Sequence, residues 1–203
     1  MPLPVPSAPI LSSTFFERDP LVCARELIGT LLENNGCSGR VIETEAYREN
    51  GDPASHLFTR PSAREFAGRH APGAAYVYLN YGVHWLANVL CRDRETGEAG
   101  FVLFRALEPA EGLETMIRRR RTSLPRSLCS GPGKLAAALG IGVGHHGRSL
   151  VEDADFCLRR STGSPSFPVA TDKRIGISSG RDLPWRFLVP DHPGVSAKVG
   201  KGR

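Results

Sequence analysis

None of the five cysteines, Cys23, Cys37, Cys91, Cys129 and Cys157, stands in C-x-x-C spacing, and their number is odd. Neither a disulfide framework nor a zinc ribbon is indicated, and they read as reduced, mostly buried thiols in a reducing compartment. The chain also lacks H-E-x-x-H, G-x-S-x-G and G-x-G-x-x-G, which removes the zincin, nucleophile-elbow and dinucleotide-binding fingerprints. No metal site and no cofactor is expected. No apolar run approaches the ~20 residues that span a bilayer. The opening Met1-Pro2-Leu3-Pro4-Val5-Pro6 has neither a basic nor an apolar signal region, so a soluble cytoplasmic protein is expected. Lysine is scarce, 4 against 22 arginines. Arginine is the better bidentate partner for phosphate, although a GC-rich genome leaves the same imprint. The net charge of +5 and a pI near 9.2 fit a nucleic-acid partner without requiring one.

What is present is ordinary for a globular chain: 203 residues, 40% hydrophobic and 23% charged, enough for one domain with a real core. Residues 1–13 are rich in proline and serine, and a mobile tail is expected there, with the folded domain over 14–196 and a basic tail over 197–203. Asp19 is a good N-cap with Pro20 at the first helical position, and Leu21, Ala24, Leu27 and Ile28 follow at helical spacing toward Gly29. Thr30–Glu33 reads as a strand, Asn34-Asn35-Gly36 as a turn and Gly39–Tyr47 as a second strand. Residues 48–73 read as a long loop. Residues 75–90 are aromatic and β-branched on both sides of Asn80-Tyr81-Gly82, the pattern of a hairpin with its tip there. Phe101–Ala106 follows as a strand. A helix after Pro109 buries Leu113, Met116 and Ile117 and ends in Arg118–Arg121. A short helix, Gly133–Leu139, opens at Ser130-Gly131-Pro132 and stops at Gly140. Residues 141–170 are loop-rich with short strands, and Lys173–Ser178 and Trp185–Val189 read as final strands. Hairpin connections outnumber βαβ units, so the fold class is α+β, a single compact domain with a mainly antiparallel sheet and flanking helices.

Four constellations carry chemistry. All four tyrosines fall between positions 47 and 81. Strand alternation puts Tyr76, Tyr78 and Asn80 on one face, either as core packing or as a platform, and Tyr81 at the turn, where an aromatic suggests a wedge. In Val41-Ile42-Glu43-Thr44-Glu45-Ala46-Tyr47, Glu43, Glu45 and Tyr47 share a face of a strand whose apolar neighbours suggest burial on both sides. Carboxylates there are costly unless hydrogen-bonded or used, and one of them suits a general base for water, with His56 nearby in sequence. Ser130-Gly131-Pro132-Gly133-Lys134 reads as a capped helix start or an anion site; it departs from a Walker A loop. The arginine run at 118–121 suits a helix C-terminus or a phosphate backbone, and the sequence leaves that open. His145-His146 lacks companions at metal spacing and reads as loop.

Taken in order, Phe15-Phe16-Glu17-Arg18-Asp19, Glu43-Thr44-Glu45-Ala46-Tyr47, Tyr76-Val77-Tyr78 with Tyr81-Gly82, Arg105-Ala106-Leu107-Glu108-Pro109, Leu128-Cys129-Ser130-Gly131-Pro132, and Arg174-Ile175-Gly176 with Leu183-Pro184-Trp185-Arg186-Phe187 resemble the alkyladenine-type (3-methyladenine) DNA glycosylases that lack a helix-hairpin-helix. The resemblance covers roughly residues 14–196. It implies a curved antiparallel sheet with a protruding β-hairpin, and an enzyme that flips a damaged purine from duplex DNA and hydrolyses its N-glycosidic bond without metal, cofactor or covalent lysine. By resemblance, Glu45 is the general base and Arg105 an active-site arginine. Tyr47, His56 and Tyr78 wall the pocket, Asn88 screens exocyclic groups, and Tyr81 enters the duplex. Arg64, Ser130, Lys134 and Arg174 are the phosphate contacts that it suggests. Double-stranded DNA is the expected partner, with a monomeric enzyme in a bacterial cytoplasm, associated with the nucleoid. The family's Thr-Pro-Arg-Asn element and Met-Phe pair are replaced here by Ser62-Ala63-Arg64-Glu65 and Gly68-Arg69, which bears on substrate range. The alternative is a non-catalytic damaged-DNA or RNA binding module of the same fold.

Overall fold

The structure is a computed structural model and describes residues 8–160 and 168–201. The Asp19 side chain accepts from the Leu21 amide at 2.7 Å and Pro20 occupies the first turn, so α1 (Pro20–Glu26) starts where the sequence directs it. Next come β1 (Leu31–Asn34) and β2 (Cys37–Arg48). Asn35 and Gly36 join them at φ of +45° and +75°, the left-handed pair that a tight hairpin needs. Then follow α2 (His56–Thr59), α3 (Pro61–Arg69), β3 (Ala75–Asn80), β4 (His84–Arg92), β5 (Ala99–Glu111), α4 (Leu113–Arg120), α5 (Pro125–Leu128), α6 (Pro132–Leu139), β6 (Phe156–Arg159), β7 (Ala170–Asp172) and β8 (Arg186–Leu188).

The strands form one curled antiparallel sheet in the order β3-β4-β5-β2-β1-β6, and β7 and β8 add to it beside β2. β2 is the spine. Along most of its length it pairs with β5, and over Glu43–Glu45 it pairs with β8 on its other edge. Register shifts around Val41–Thr44 bend it there. Its centre is therefore enclosed at both edges and buried on both faces, as the apolar Val41 and Ile42 beside the two glutamates suggest. The main core, including Phe16, Ala24, Leu27, Phe104, Leu135 and Leu139, lies between α1, α6 and one face of the sheet. A second cluster, Leu57, Phe66, Tyr76, Leu90 and Phe101, lies under α2 and α3.

Several expectations need correction. The long loop expected over 48–73 contains α2 and α3; the buried stripe of α3 is only Ala63, Phe66 and Ala67 in a polar sequence, too narrow to read as a helical period. Lys173–Ser178 is irregular, and the strand falls earlier, at β7. Residues 8–13, expected within a mobile tail, are docked: Ile10 bridges to Arg159, and Leu11 is buried with its amide on Leu158. The first seven residues lie outside the described ones. The expected basic tail is tied at Ala197 to Arg186 and at the Gly200 amide to Asp172. In α4 Met116 is buried while Leu113 is exposed. All five cysteines are free and buried.

Candidate active site

The two glutamates of β2 are both fully enclosed and both reach Arg105 on β5, from which they diverge in role. Glu43 Oε1 accepts from Arg105 Nε at 3.1 Å, Arg186 Nε at 2.7 Å and the Ser196 hydroxyl at 2.7 Å, and its Oε2 accepts from the Ser196 amide at 2.6 Å. It is a structural hub between two arginines and the C-terminal segment. Glu45 Oε2 accepts from the Tyr47 hydroxyl at 2.7 Å and from Arg105 Nη1 at 3.1 Å, while Oε1 accepts from the Ile175 amide at 2.7 Å. A carboxylate offers about four lone-pair positions, so one on Oε1 remains after these three bonds. Burial opposes the Arg105 charge, but Glu45 and Glu43 outweigh it and hold the group above the usual arginine value. The Tyr47 hydroxyl is held well above the usual tyrosine range, first by burial and then by Glu45, so it stays a neutral donor.

In front of this cluster opens a cavity of about 470 Å³, within the ~300–1,000 Å³ usual for small-ligand sites. Its walls include Tyr47, His56, Tyr78, Asn88, Tyr81 and Arg105, so β2, α2, the β3–β4 hairpin and β5 bring six of the sequence-assigned residues to one place. Glu45 lies one layer behind, under Tyr47 and Arg105. The His56 ring sits 4.5 Å from the Tyr78 ring, and its Nδ1 is 3.1 Å from the Tyr76 hydroxyl. Burial and then the Arg60 charge lower His56 to about 4, so it is neutral at pH 7. Burial, with Tyr76 adding to it, pushes Tyr78 up to about 12. Asn88 is buried, and its amide donates to the Tyr76 carbonyl at 3.0 Å, which fixes which end faces the cavity. Behind Tyr76 lie Phe101, stacked at 4.4 Å, and Phe66 of α3. The stretch that departs from the family pattern thus backs the pocket wall.

The hairpin tip is Tyr81-Gly82-Val83, with Tyr81 86% exposed and at φ +50°. The Cys129–Lys134 segment braces its base. A Cβ on Gly133 would come within 2.9 Å of His84 Cβ, so glycine here lets α6 press on the hairpin. Of the four arginine, serine and lysine positions expected on phosphate, Lys134 is exposed, with its ammonium 3.3 Å from the Ser130 hydroxyl. Arg64 is exposed, and its guanidinium donates to the Leu57 and Phe58 carbonyls at the end of α2. Arg174 needs correction. Its side chain is fully buried, bidentate on Asp52 at 2.6 and 2.7 Å and 4.6 Å over the Tyr47 ring, so it buttresses the pocket and does not reach a phosphate.

Asp52, Arg60, Ser196 and the Ile175–Ser178 loop are site residues that sequence reasoning passed over. Asp52 stands in a Gly-Asp-Pro turn signal that reads only as loop, Arg60 and Ser196 carry no local pattern, and Ile175-Gly176 belongs to a motif that by itself assigns the loop no role. Among the described residues no group of three His, Cys, Asp or Glu converges to hold a metal, and no helix is long and apolar enough to cross a membrane.

A carboxylate held behind an aromatic, neutral-histidine pocket, beside an exposed aromatic on a hairpin, defines a cavity that can take up a planar ring. The comparisons with known proteins bear on which one. The sequence pattern of the family described as Methylpurine-DNA glycosylase (MPG) matches residues 14–193. A protein of Rhodopseudomonas palustris is 45% identical over 90% of this chain and 86% of its own. One of Nitrosospira multiformis is 43% identical over 89% and 91%, and one of Chlorobaculum tepidum 40% identical over 92% and 90%. Each carries the name "Putative 3-methyladenine DNA glycosylase". The chain belongs to the methylpurine-DNA glycosylase family, DNA repair enzymes that hydrolyse N-glycosyl bonds.

Proposed function

We propose that this chain excises alkylated and deaminated purines, the 3-methyladenine, 7-methylguanine and hypoxanthine class, from double-stranded DNA as a monofunctional, monomeric glycosylase that leaves an abasic site. Tyr81 enters the duplex where the nucleotide leaves it, and the base lodges among Tyr47, His56 and Tyr78 with Asn88 at its edge. A water on the remaining Oε1 lone pair of Glu45 attacks the sugar C1′. The C1′–N9 bond breaks, the purine leaves with the electron pair, and Glu45 takes the water's proton while its charge offsets the oxocarbenium-like sugar. Arg105 and Tyr47 hold the carboxylate in place from Oε2. Exposed Lys134 and Arg64 are the candidates for phosphate contact.

The observation that carries this reading is the set of three donors that converge on Glu45 directly behind the aromatic cavity. Glu45→Gln keeps the volume and removes the base and the charge. Single-turnover release from duplexes with one hypoxanthine or 7-methylguanine is expected to fall at least ~100-fold, the usual contribution of a positioned base, with lesion binding retained. Turnover near wild type in Glu45→Gln, with loss in Glu43→Gln, would reverse the assignment of the two carboxylates.

A further inference from the structure

We propose that Arg60 determines specificity: its guanidinium biases the pocket toward uncharged purines with an oxygen at position 6, and against purines made cationic by alkylation at N3 or N7. This rests on the glycosylase reading above and deepens it.

Two charged side chains line the cavity, Arg60 and Arg105, and no carboxylate lines it with them. Arg105 is answered by Glu43 and Glu45. Among the described residues no carboxylate forms an ion pair with Arg60; its guanidinium lies instead 5.8 Å from the centre of the Tyr78 ring. A cationic base would seek that same ring by cation–π attraction, so Arg60 both repels it and competes for its partner. The position of Arg60 is set by the fold. It is the single residue between α2 and α3, its amide donates to the His56 carbonyl at 2.7 Å, its carbonyl accepts from the Ala63 amide at 3.1 Å, and Pro61 fixes the chain after it. Exposed Arg60 is also, after burial, the second cause that lowers His56 beside it to about 4.

The leaving-group chemistry points the same way. The purine departs with the electron pair of the C1′–N9 bond. An alkylated cation departs neutral, whereas hypoxanthine, neutral in DNA, departs as an anion delocalised onto its position-6 oxygen. A guanidinium among the pocket rings stabilises the second departure and opposes binding of the first.

The test is single-turnover release from duplexes holding one hypoxanthine or one 7-methylguanine, by the wild type, Arg60→Gln and Arg60→Lys. Arg60→Gln is expected to raise the ratio of 7-methylguanine to hypoxanthine rates by about 5- to 30-fold, the equivalent of about 1–2 kcal/mol for a partly solvated charge pair. Arg60→Lys, which keeps the charge, is expected to stay within about threefold of the wild-type ratio on the same scale. An unchanged ratio in Arg60→Gln overturns the proposal. So does an equal loss on both lesions with a shallower salt dependence, which would make Arg60 a phosphate contact. Release of neither lesion by the wild type overturns the glycosylase reading and this one with it; release of both with no change in ratio overturns only the role of Arg60.

Discussion

Replacing Tyr81 by glycine is expected to separate stability from function at one residue. Tyr81 is 86% exposed, so truncation removes almost no buried surface. Its φ of +50° is a left-handed conformation that costs an L-residue about 1–2 kcal/mol. Glycine removes that strain but gives up about 0.5–1 kcal/mol to its greater freedom when unfolded. The balance is a gain of about 0–1.5 kcal/mol, and for a chain of this size the melting temperature is unchanged or up to about 6 °C higher. The same substitution deletes the ring proposed to fill the gap in the duplex. Lost stacking of about 1–3 kcal/mol corresponds to a fall of about 5- to 150-fold in single-turnover release of paired hypoxanthine. The fall is expected to be smaller for mispaired or single-stranded hypoxanthine, where extrusion is easier. Thermal melts and excision on paired and mispaired substrates test both halves. A melting temperature several degrees lower would mean that Tyr81 packs against the protein. A loss of equal size in every context would mean that it is not the wedge.

Asp52→Ala is expected to destabilise the fold by about 3–5 kcal/mol in urea titrations, because it strands the buried Arg174 guanidinium behind Tyr47; a change below about 1 kcal/mol, the scale of an exposed pair, would refute that account. His56 supplies a pH signature. Its folded value is about 4 against 6.5 when unexposed to the protein. Between those values the unfolded state therefore binds more proton, and stability falls as pH drops from about 6.5 toward 4. In His56→Gln this part of the decline is expected to vanish, and a wild-type-minus-variant difference that is flat across the interval would show that His56 is not the titrating group.

The local signals in this sequence translate directly because short-range chemistry sets them. Asp19-Pro20 starts α1, Asn35-Gly36 turns β1 into β2, Tyr81-Gly82 tips the hairpin, and Gly140 stops α6, each through a capping bond or a backbone conformation that needs no distant partner. The ordered motifs likewise pointed to the pocket residues Tyr47, His56, Tyr78, Asn88 and Arg105, which β2, α2, β3, β4 and β5 then carry to one cavity. What no local pattern holds is the partner of a buried charge. Glu43 and Glu45 look alike in sequence, two residues apart on one strand. Only tertiary structure gives one to Arg186 and Ser196 and the other to the Ile175 amide, because those partners arrive from segments more than a hundred residues away. Arg174 was expected on phosphate for the same reason: no local pattern shows that a buried Asp52, 122 residues distant, holds its two terminal nitrogens. Charge type and turn geometry were written in the sequence, whereas which charge is enclosed, and by what, was decided by how the sheet curls around β2.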